Sequence, residues 1–137
     1  SNKAIHMNVN LVMANDTPVI ESHQNVLMSE LNSLPARGCK SLILNHMLNY
    51  LTDEQINEVV GKIRHGGSIS VTSPDAMEAA SALHAGSIDM TLFSTLTSNR
   101  LKQYSLLDAK SLFEQQGYVI ETAVIQDLSF YIKANRP

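Results

Sequence analysis

Asn45 and His46 directly follow Ser41-Leu42-Ile43-Leu44, a run that reads as a central strand buried on both faces of a parallel sheet. Ligands of open α/β sheets bind just outside the carboxyl ends of the strands, so an amide and an imidazole at that point are placed to touch one. An imidazole with an ordinary pKa of about 6.5 is a candidate general base, which makes His46 the one weak catalytic candidate. The remaining histidines, His6, His23, His65 and His84, are scattered without the spacing of four on one helix that a zinc site uses, and no metal is expected. Cys39 is the sole cysteine, so it makes neither an internal disulfide nor part of a thiolate cluster, and its place in the turn Ala36 to Lys40 reads as incidental. Asp75, just after a strand, is first of all a helix cap. Gly66-Gly67 follows a helix instead of preceding one, which makes it a turn and not a phosphate loop.

The elements that must position these residues alternate along the chain. Ala4 to Leu11 has strand periodicity, with Ile5, Met7, Val9 and Leu11 on one face and His6, Asn8 and Asn10 on the other. Asn15-Asp16-Thr17-Pro18 breaks it, and a short apolar stretch, Asn25 to Met28, leads to Leu34-Pro35. Thr52 and Gln55 form a capping-box signature ahead of the apolar stripe Ile56, Val59, Val60, Ile63; Arg64 and His65 suit the end of that helix, and Gly66-Gly67 stops it. Ser68 to Thr72 is a β-branched strand, and Asp75 opens a helix to about Ala85 with Met77, Ala80 and Leu83 inward. Ser87 to Gln103 is weakly patterned, a loop or a short helix. Ser105 and Asp108 cap a further helix with Leu112 and Phe113 inward and Gly117 as its stop; Tyr104 ahead of it either staples that helix or closes over a ligand. Tyr118 to Ile125 and Leu128 to Ala134 are strands whose two-residue connection permits only an antiparallel hairpin. The six methionines are spread along the chain and read as core filler.

The chain of 137 residues, 44% of them hydrophobic, suits one domain over residues 3–137, with Ser1-Asn2 read as the remnant of a tag. Ten basic against thirteen acidic side chains leave a formal charge of −3, which offers no general attraction to nucleic acid or anionic lipid. No apolar run approaches the roughly 20 residues of a membrane-spanning helix, so the expectation is a soluble, cytoplasmic protein.

Several blocks, in order, resemble the class I S-adenosylmethionine-dependent methyltransferases, in particular the small branch associated with glycan genes and phages. Ser29-Glu30-Leu31-Asn32-Ser33-Leu34-Pro35 is similar to the family's acidic-Leu-x-x-Leu-Pro block, and Leu42 to Leu51 to its fourth strand and the segment after it. Val59 to Asp75 resembles the helix, Gly-Gly turn and fifth strand ending in Pro-Asp, and Tyr104 to Gly117 the Tyr-Ser-x-x-Asp helix. The closing hairpin, with Phe130-Tyr131-Ile132-Lys133-Ala134 as inserted last strand, fits too. The resemblance implies a three-layer, mostly parallel Rossmann-like α/β sheet ending in an antiparallel hairpin, with the N-terminal part truncated or degenerate. The first glycine of the chain is Gly38, so the family's glycine-rich cofactor turn has no counterpart. Ile5 to Leu11 is then either the first strand with Asn8 and Asn10 in place of glycines or, the favoured reading, the second strand with everything upstream missing.

On the favoured reading Asn10 stands near the position of the carboxylate that grips the ribose hydroxyls, where an amide offers single hydrogen bonds without the charge. Glu30 falls near the adenine amino group, although an exposed acid on a loop is the simpler account. Asn49-Tyr50 replaces the family's Glu-His. The resemblance thus implies a site for S-adenosylmethionine made of Asn10, Glu30, Asn45 and His46, and transfer of a methyl group to a sugar or other small acceptor. The alternative is an inactive remnant of the fold that acts as a binding or oligomerisation module. Loss of the first strand would bring the second beside the fourth or leave a gap for another chain, which implies a homodimer or a partner protein.

Overall fold

The computed structural model describes residues 7–137. The readings made on Ile5 and His6 lie outside the described residues. The strands are β1 (Met7–Val12), β2 (Gln24–Leu27), β3 (Cys39–Asn45), β4 (Ile63–Pro74), β5 (Val119–Gln126) and β6 (Ser129–Asn135). The helices are α1 (Asp53–Gly61), α2 (Ala76–His84), α3 (Met90–Thr97) and α4 (Leu106–Gln115), with short 3-10 turns at Met28–Ser33 and Leu48–Tyr50. One six-stranded sheet has the order β2-β1-β3-β4-β6-β5. Its first four strands are parallel and β6 is antiparallel to both β4 and β5. The expected α/β sheet with its closing hairpin is therefore present, and β1 pairs directly with β3 without a gap.

Register explains the core. Val9, Leu42, Ile69 and Ala134 lie in one row across the sheet, and Leu11, Leu44, Val71 and Ile132 in the next. All eight are buried on the same face, and Ile56, Val59 and Val60 of α1 and Ala109 and Phe113 of α4 join them in one hydrophobic cluster. The intervening rows run Asn25, Asn10, Ile43, Ser70, Lys133 and Asn8, Ser41, Ser68, Asn135, and most of their side chains are half-buried. The layering is thus lopsided: α1 and α4 bury the apolar face, while the opposite face keeps polar residues. This is why β3 is not buried on both sides; Ser41 and Ile43 stay half-exposed.

Local capping sets the helix starts. Thr52 accepts from Gln55 N while the Gln55 side chain accepts from Thr52 N, closing the capping box. The Ser105 hydroxyl accepts from Asp108 N, and the Asp89 carboxylate caps α3 by accepting from Leu92 N.

Four further expectations are corrected. The helix after Thr52 ends at Gly61 and not at Gly66-Gly67, and Ile63, Arg64 and His65 belong to β4. Lys62 O accepts from Cys39 N, which hands the chain to the sheet at once. Gly66 sits in the left-handed region at φ 79°, and a Cβ on Gly67 would lie 2.9 Å from Lys40 O and 3.0 Å from both Arg64 O and Cys39 O. Gly67 is therefore the point where β4 closes on β3. Gly67→Ala should cost about 2 kcal/mol in urea unfolding, since the crowding atoms are backbone and cannot swing aside; a cost under about 0.5 kcal/mol would refute the close approach. Second, α2 turns Ala79 inward and leaves Met77 and Ala80 exposed; its cap Asp75 is held at the same time by the start of α4, which ties down that end of the helix. Third, Met13 and Met90 are exposed as well, so methionine does not fill the core uniformly. Fourth, Cys39 is not incidental: it is fully buried in β3, and burial pushes its thiol up to about 11, partly offset by Lys62. Tyr104, read as a staple for α4 or a cover for a ligand, is buried and packs in the main cluster.

Candidate functional site

A cavity of about 550 Å³ opens at the carboxyl ends of β1 and β3. Its apolar wall comes from Leu11 and Val12 at the end of β1, from Met13 and the loop residues Pro18, Val19 and Ile20, and from Met47 and Tyr50 beyond β3; its polar groups come from Asn10, Thr17, Asn45 and His46. Asn10, Asn45 and His46 thus meet in one place, although they are 35 and 36 positions apart in the chain. Glu30 does not line it; the residue lies exposed in the 3-10 turn Met28–Ser33. No carboxylate is among the lining residues.

The orientation of Asn10 follows from a relay. Asn25 Nδ2 donates to Thr17 O at 2.8 Å, and a carbonyl can only accept, so the Asn25 amide has one possible orientation. Its Oδ1 then accepts from Asn10 Nδ2 at 3.1 Å. That leaves Asn10 Oδ1 as a buried acceptor without a partner, on a side chain 2% exposed. Buried polar atoms are nearly always paired, so this oxygen calls for a donor. A ligand hydroxyl or N–H reaching the cavity floor would supply it.

His46 ends the parallel ladder. Its backbone N–H donates to Thr72 O at 2.8 Å, then the residue adopts φ 55° and turns the chain into Leu48–Tyr50, which returns Tyr50 to the cavity wall. Burial lowers the His46 pKa below its ordinary value, and the Arg100 guanidinium lowers it further. The ring is thus neutral at pH 7. Because the unfolded chain titrates at about 6.5, the unfolded state binds more protons below that value, and stability contributed by neutral His46 falls as pH drops from about 6.5 through the folded pKa. Arg100→Gln should move the His46 titration upward toward 6.5 in an NMR pH series; an unchanged midpoint would remove Arg100 as a cause.

The segment that follows α3 is tied to this turn. Asn49 O accepts from Leu101 N and Lys102 N, and Asn49 Nδ2 donates to Lys102 O at 3.0 Å. Ser73 Oγ donates to Asn49 Oδ1, so every polar atom of the buried Asn49 side chain is engaged with β4 or the linker. Asp75 performs the second tie: one carboxylate oxygen caps α2 by accepting from Glu78 N at 2.9 Å, the other accepts from Leu106 N at 2.7 Å at the start of α4. Arg100 lies on the linker so held, its guanidinium carbon 5.5 Å from the centre of the Tyr50 ring.

Sequence reasoning singled out Asn10, Asn45 and His46 but not Thr17, Asn25, Pro18 to Ile20 or Arg100. Asn25 was legible only as a polar residue beginning an apolar stretch, and a cross-strand partner has no local signal. Among the described residues no group of three or more His, Cys, Asp or Glu is placed to hold a metal ion, and no helix is long and apolar enough to cross a membrane.

No family model matches the sequence. No curated protein is significantly similar to it. Solved structures are similar in fold. An S-adenosylmethionine-dependent methyltransferase from Mesorhizobium loti superposes with a TM-score of 0.62 at 14% identity, over 94% of this chain and 80% of that one. A second from Thermotoga maritima gives 0.60 at 11% identity, over 85% of this chain and 65% of that one. An O-methyltransferase family protein from Burkholderia thailandensis gives 0.56 at 13% identity, over 84% of this chain and 36% of that one. The chain therefore spans less than two thirds of the last two proteins. At such identities the likeness concerns architecture, and with the strand order, the closing hairpin and the cavity at the strand ends it leads to one conclusion: this chain has the fold of the class I S-adenosylmethionine-dependent methyltransferases.

Proposed function

We propose that the cavity at the ends of β1 and β3 receives the nucleoside part of an S-adenosylmethionine-type ligand, which makes the chain a methyltransferase-like domain of the small, glycan- and phage-associated kind. The observation that carries the proposal is the unpartnered Asn10 Oδ1, an acceptor aligned by the Asn25 and Thr17 relay and suited to a ribose hydroxyl. A volume of about 550 Å³ and a largely apolar wall suit a nucleoside. The lining lacks the carboxylate that would hold both ribose hydroxyls or face a sulfonium, so the fit is to the neutral nucleoside part. When bound, S-adenosylmethionine supplies an electrophilic methyl group. For this chain's residues the tasks are then to orient the nucleoside through Asn10 and Asn45, to exclude water with Pro18 to Ile20 and Met47, and, for an acceptor that must lose a proton, to take it on neutral His46. The acceptor in this reading is a sugar or another small molecule, and the setting is the cytoplasm.

The test is calorimetric titration with S-adenosylmethionine and S-adenosylhomocysteine. Micromolar binding, about −8 kcal/mol, is expected. Asn10→Ala should weaken it about tenfold, the loss of one hydrogen bond of about 1.4 kcal/mol, whereas Glu30→Ala should leave it unchanged. Absence of heat and of thermal stabilisation at millimolar ligand would refute the proposal.

A second reading has its own support: His46 is the only titratable side chain other than Tyr50 in the lining, which is little equipment for catalysis. On this reading the chain binds without turnover, as a homodimer or with a protein partner. Methyl transfer by the isolated chain, or a monomer by sedimentation across a wide concentration range, would overturn it.

A further inference from the structure

Arg100 is a half-buried cation for which no described residue provides an ion-pair partner, unlike Lys133, which pairs with Glu121 at 3.1 Å. Its Nη1 donates to Thr95 O at 3.1 Å and Ser98 O at 2.8 Å, which satisfies carbonyls at the end of α3. Those bonds engage Nη1 alone, and among the described residues none accepts from Nε or Nη2. A guanidinium has five donors in a rigid fork matched to carboxylate and phosphate, so a helix-capping role leaves most of it unused. Its guanidinium stands over the Tyr50 ring and its charge lowers the His46 pKa, and both of those residues line the cavity. A ring face under a guanidinium fixes the plane of the fork, and desolvation beside an apolar wall strengthens its pull on an anion. No carboxylate in the lining competes for it.

We infer that Arg100, seated on the ring of Tyr50 where that residue lines the cavity, forms an oxyanion subsite beside the cavity, so that the ligand bound there carries a carboxylate or a phosphate. The inference rests on the nucleoside reading only for the identity of the rest of the ligand. Two sources would present the same chemistry, the carboxylate of an amino-acid tail and a phosphate.

The experiment has two parts. Inorganic phosphate and acetate, each titrated alone, are followed on the Arg100 Nε–H and His46 ring signals by NMR. Saturable shifts of both are expected in the wild type, loss of the His46 shift in Arg100→Gln, and its retention in Arg100→Lys, which keeps the charge. Adenosine, adenosine monophosphate and S-adenosylhomocysteine are then compared by calorimetry. At least one anion-bearing ligand should bind about tenfold tighter than adenosine, and Arg100→Gln should remove that advantage. A gain confined to S-adenosylhomocysteine assigns the subsite to a carboxylate tail, and one confined to the monophosphate assigns it to a phosphate. If phosphate shifts the signals but adenosine does not bind, the nucleoside reading fails and the subsite stands. Signals unmoved or shifting without saturation, which would be an adventitious ion only, or equal weakening of all three ligands in Arg100→Gln, overturn the inference.

Discussion

Asn49→Asp should lower the free energy of unfolding by about 3 kcal/mol at pH 7 and by far less near pH 3.5. The substitution changes almost no volume, yet it replaces the Nδ2 donor to Lys102 O by a second oxygen. In a side chain 1% exposed, a carboxylate oxygen facing a carbonyl has no water to relieve it. The protonated acid is different, because its O–H can donate to Lys102 O as the amide does. The introduced carboxyl would have a folded pKa raised above the unfolded value of about 3.9. Below that value both states are protonated and the penalty is small; as pH rises through about 3.9 toward the folded pKa stability falls, and above the folded pKa the loss is constant. Urea unfolding of wild type and variant at both pH values measures this, and an equal deficit at each would show that the Lys102 contact is not what Asn49 provides. Loosening Asn49 would also free the linker that carries Arg100, so anion effects on His46 should weaken in the same variant at pH 7.

Asp75→Ala should cost about 3 kcal/mol, an effect beyond that of an ordinary helix cap at about 1 kcal/mol. The carboxylate serves two helices at once, accepting from Glu78 N and Leu106 N, and at 2% exposure water does not replace it. Asp75→Asn is the informative control. Its amide offers one acceptor and turns its NH2 toward the other N–H, so it should recover only the bond it keeps, leaving a deficit of about 2 kcal/mol. Amide exchange should accelerate at Glu78 in the alanine variant and at one of the two sites in the asparagine variant. A loss for Asp75→Ala no larger than about 1 kcal/mol would mean that the tie to α4 adds nothing.

What could be read from the chain alone was local. The Thr52 and Gln55 capping box and the Ser105 and Asp108 cap are encoded within four residues, and both formed as expected. The hairpin was legible because the two residues read as its connection, Gln126-Asp127, leave no length for any other arrangement; in the structure the connection is one residue later, at Asp127-Leu128. Alternation in β1 correctly put Val9 and Leu11 on the core face. The end of α1 was misread because Gly61 and Gly66-Gly67 offer two stops for one helical stripe, and the choice is made by pairing of Lys62 with Cys39 in a neighbouring strand. Met77 was misread because apolar spacing names a face, whereas Asp75, the cap of α2, is also tied to Leu106 of α4, 31 positions further on, and no local spacing shows that tie.

The candidate site divides in the same way. Position at a strand end singled out Asn45 and His46, and the family resemblance added Asn10 and Glu30. Tertiary structure alone separated them, bringing Asn10 beside Asn45 and His46 and leaving Glu30 outside, because register between β1 and β3 decides which side chains share an edge. It alone oriented the Asn10 amide, through a relay that crosses to β2 and the loop at Thr17, and it alone brought Arg100 to Tyr50 through the backbone of Asn49. The sequence by itself determined the α/β alternation, the helix starts and the hairpin, since these depend on propensities and hydrogen bonds between near neighbours. The exposure of one sheet face, the contents of the cavity and the direction of its free acceptor depend on contacts between distant segments, which only the folded chain specifies.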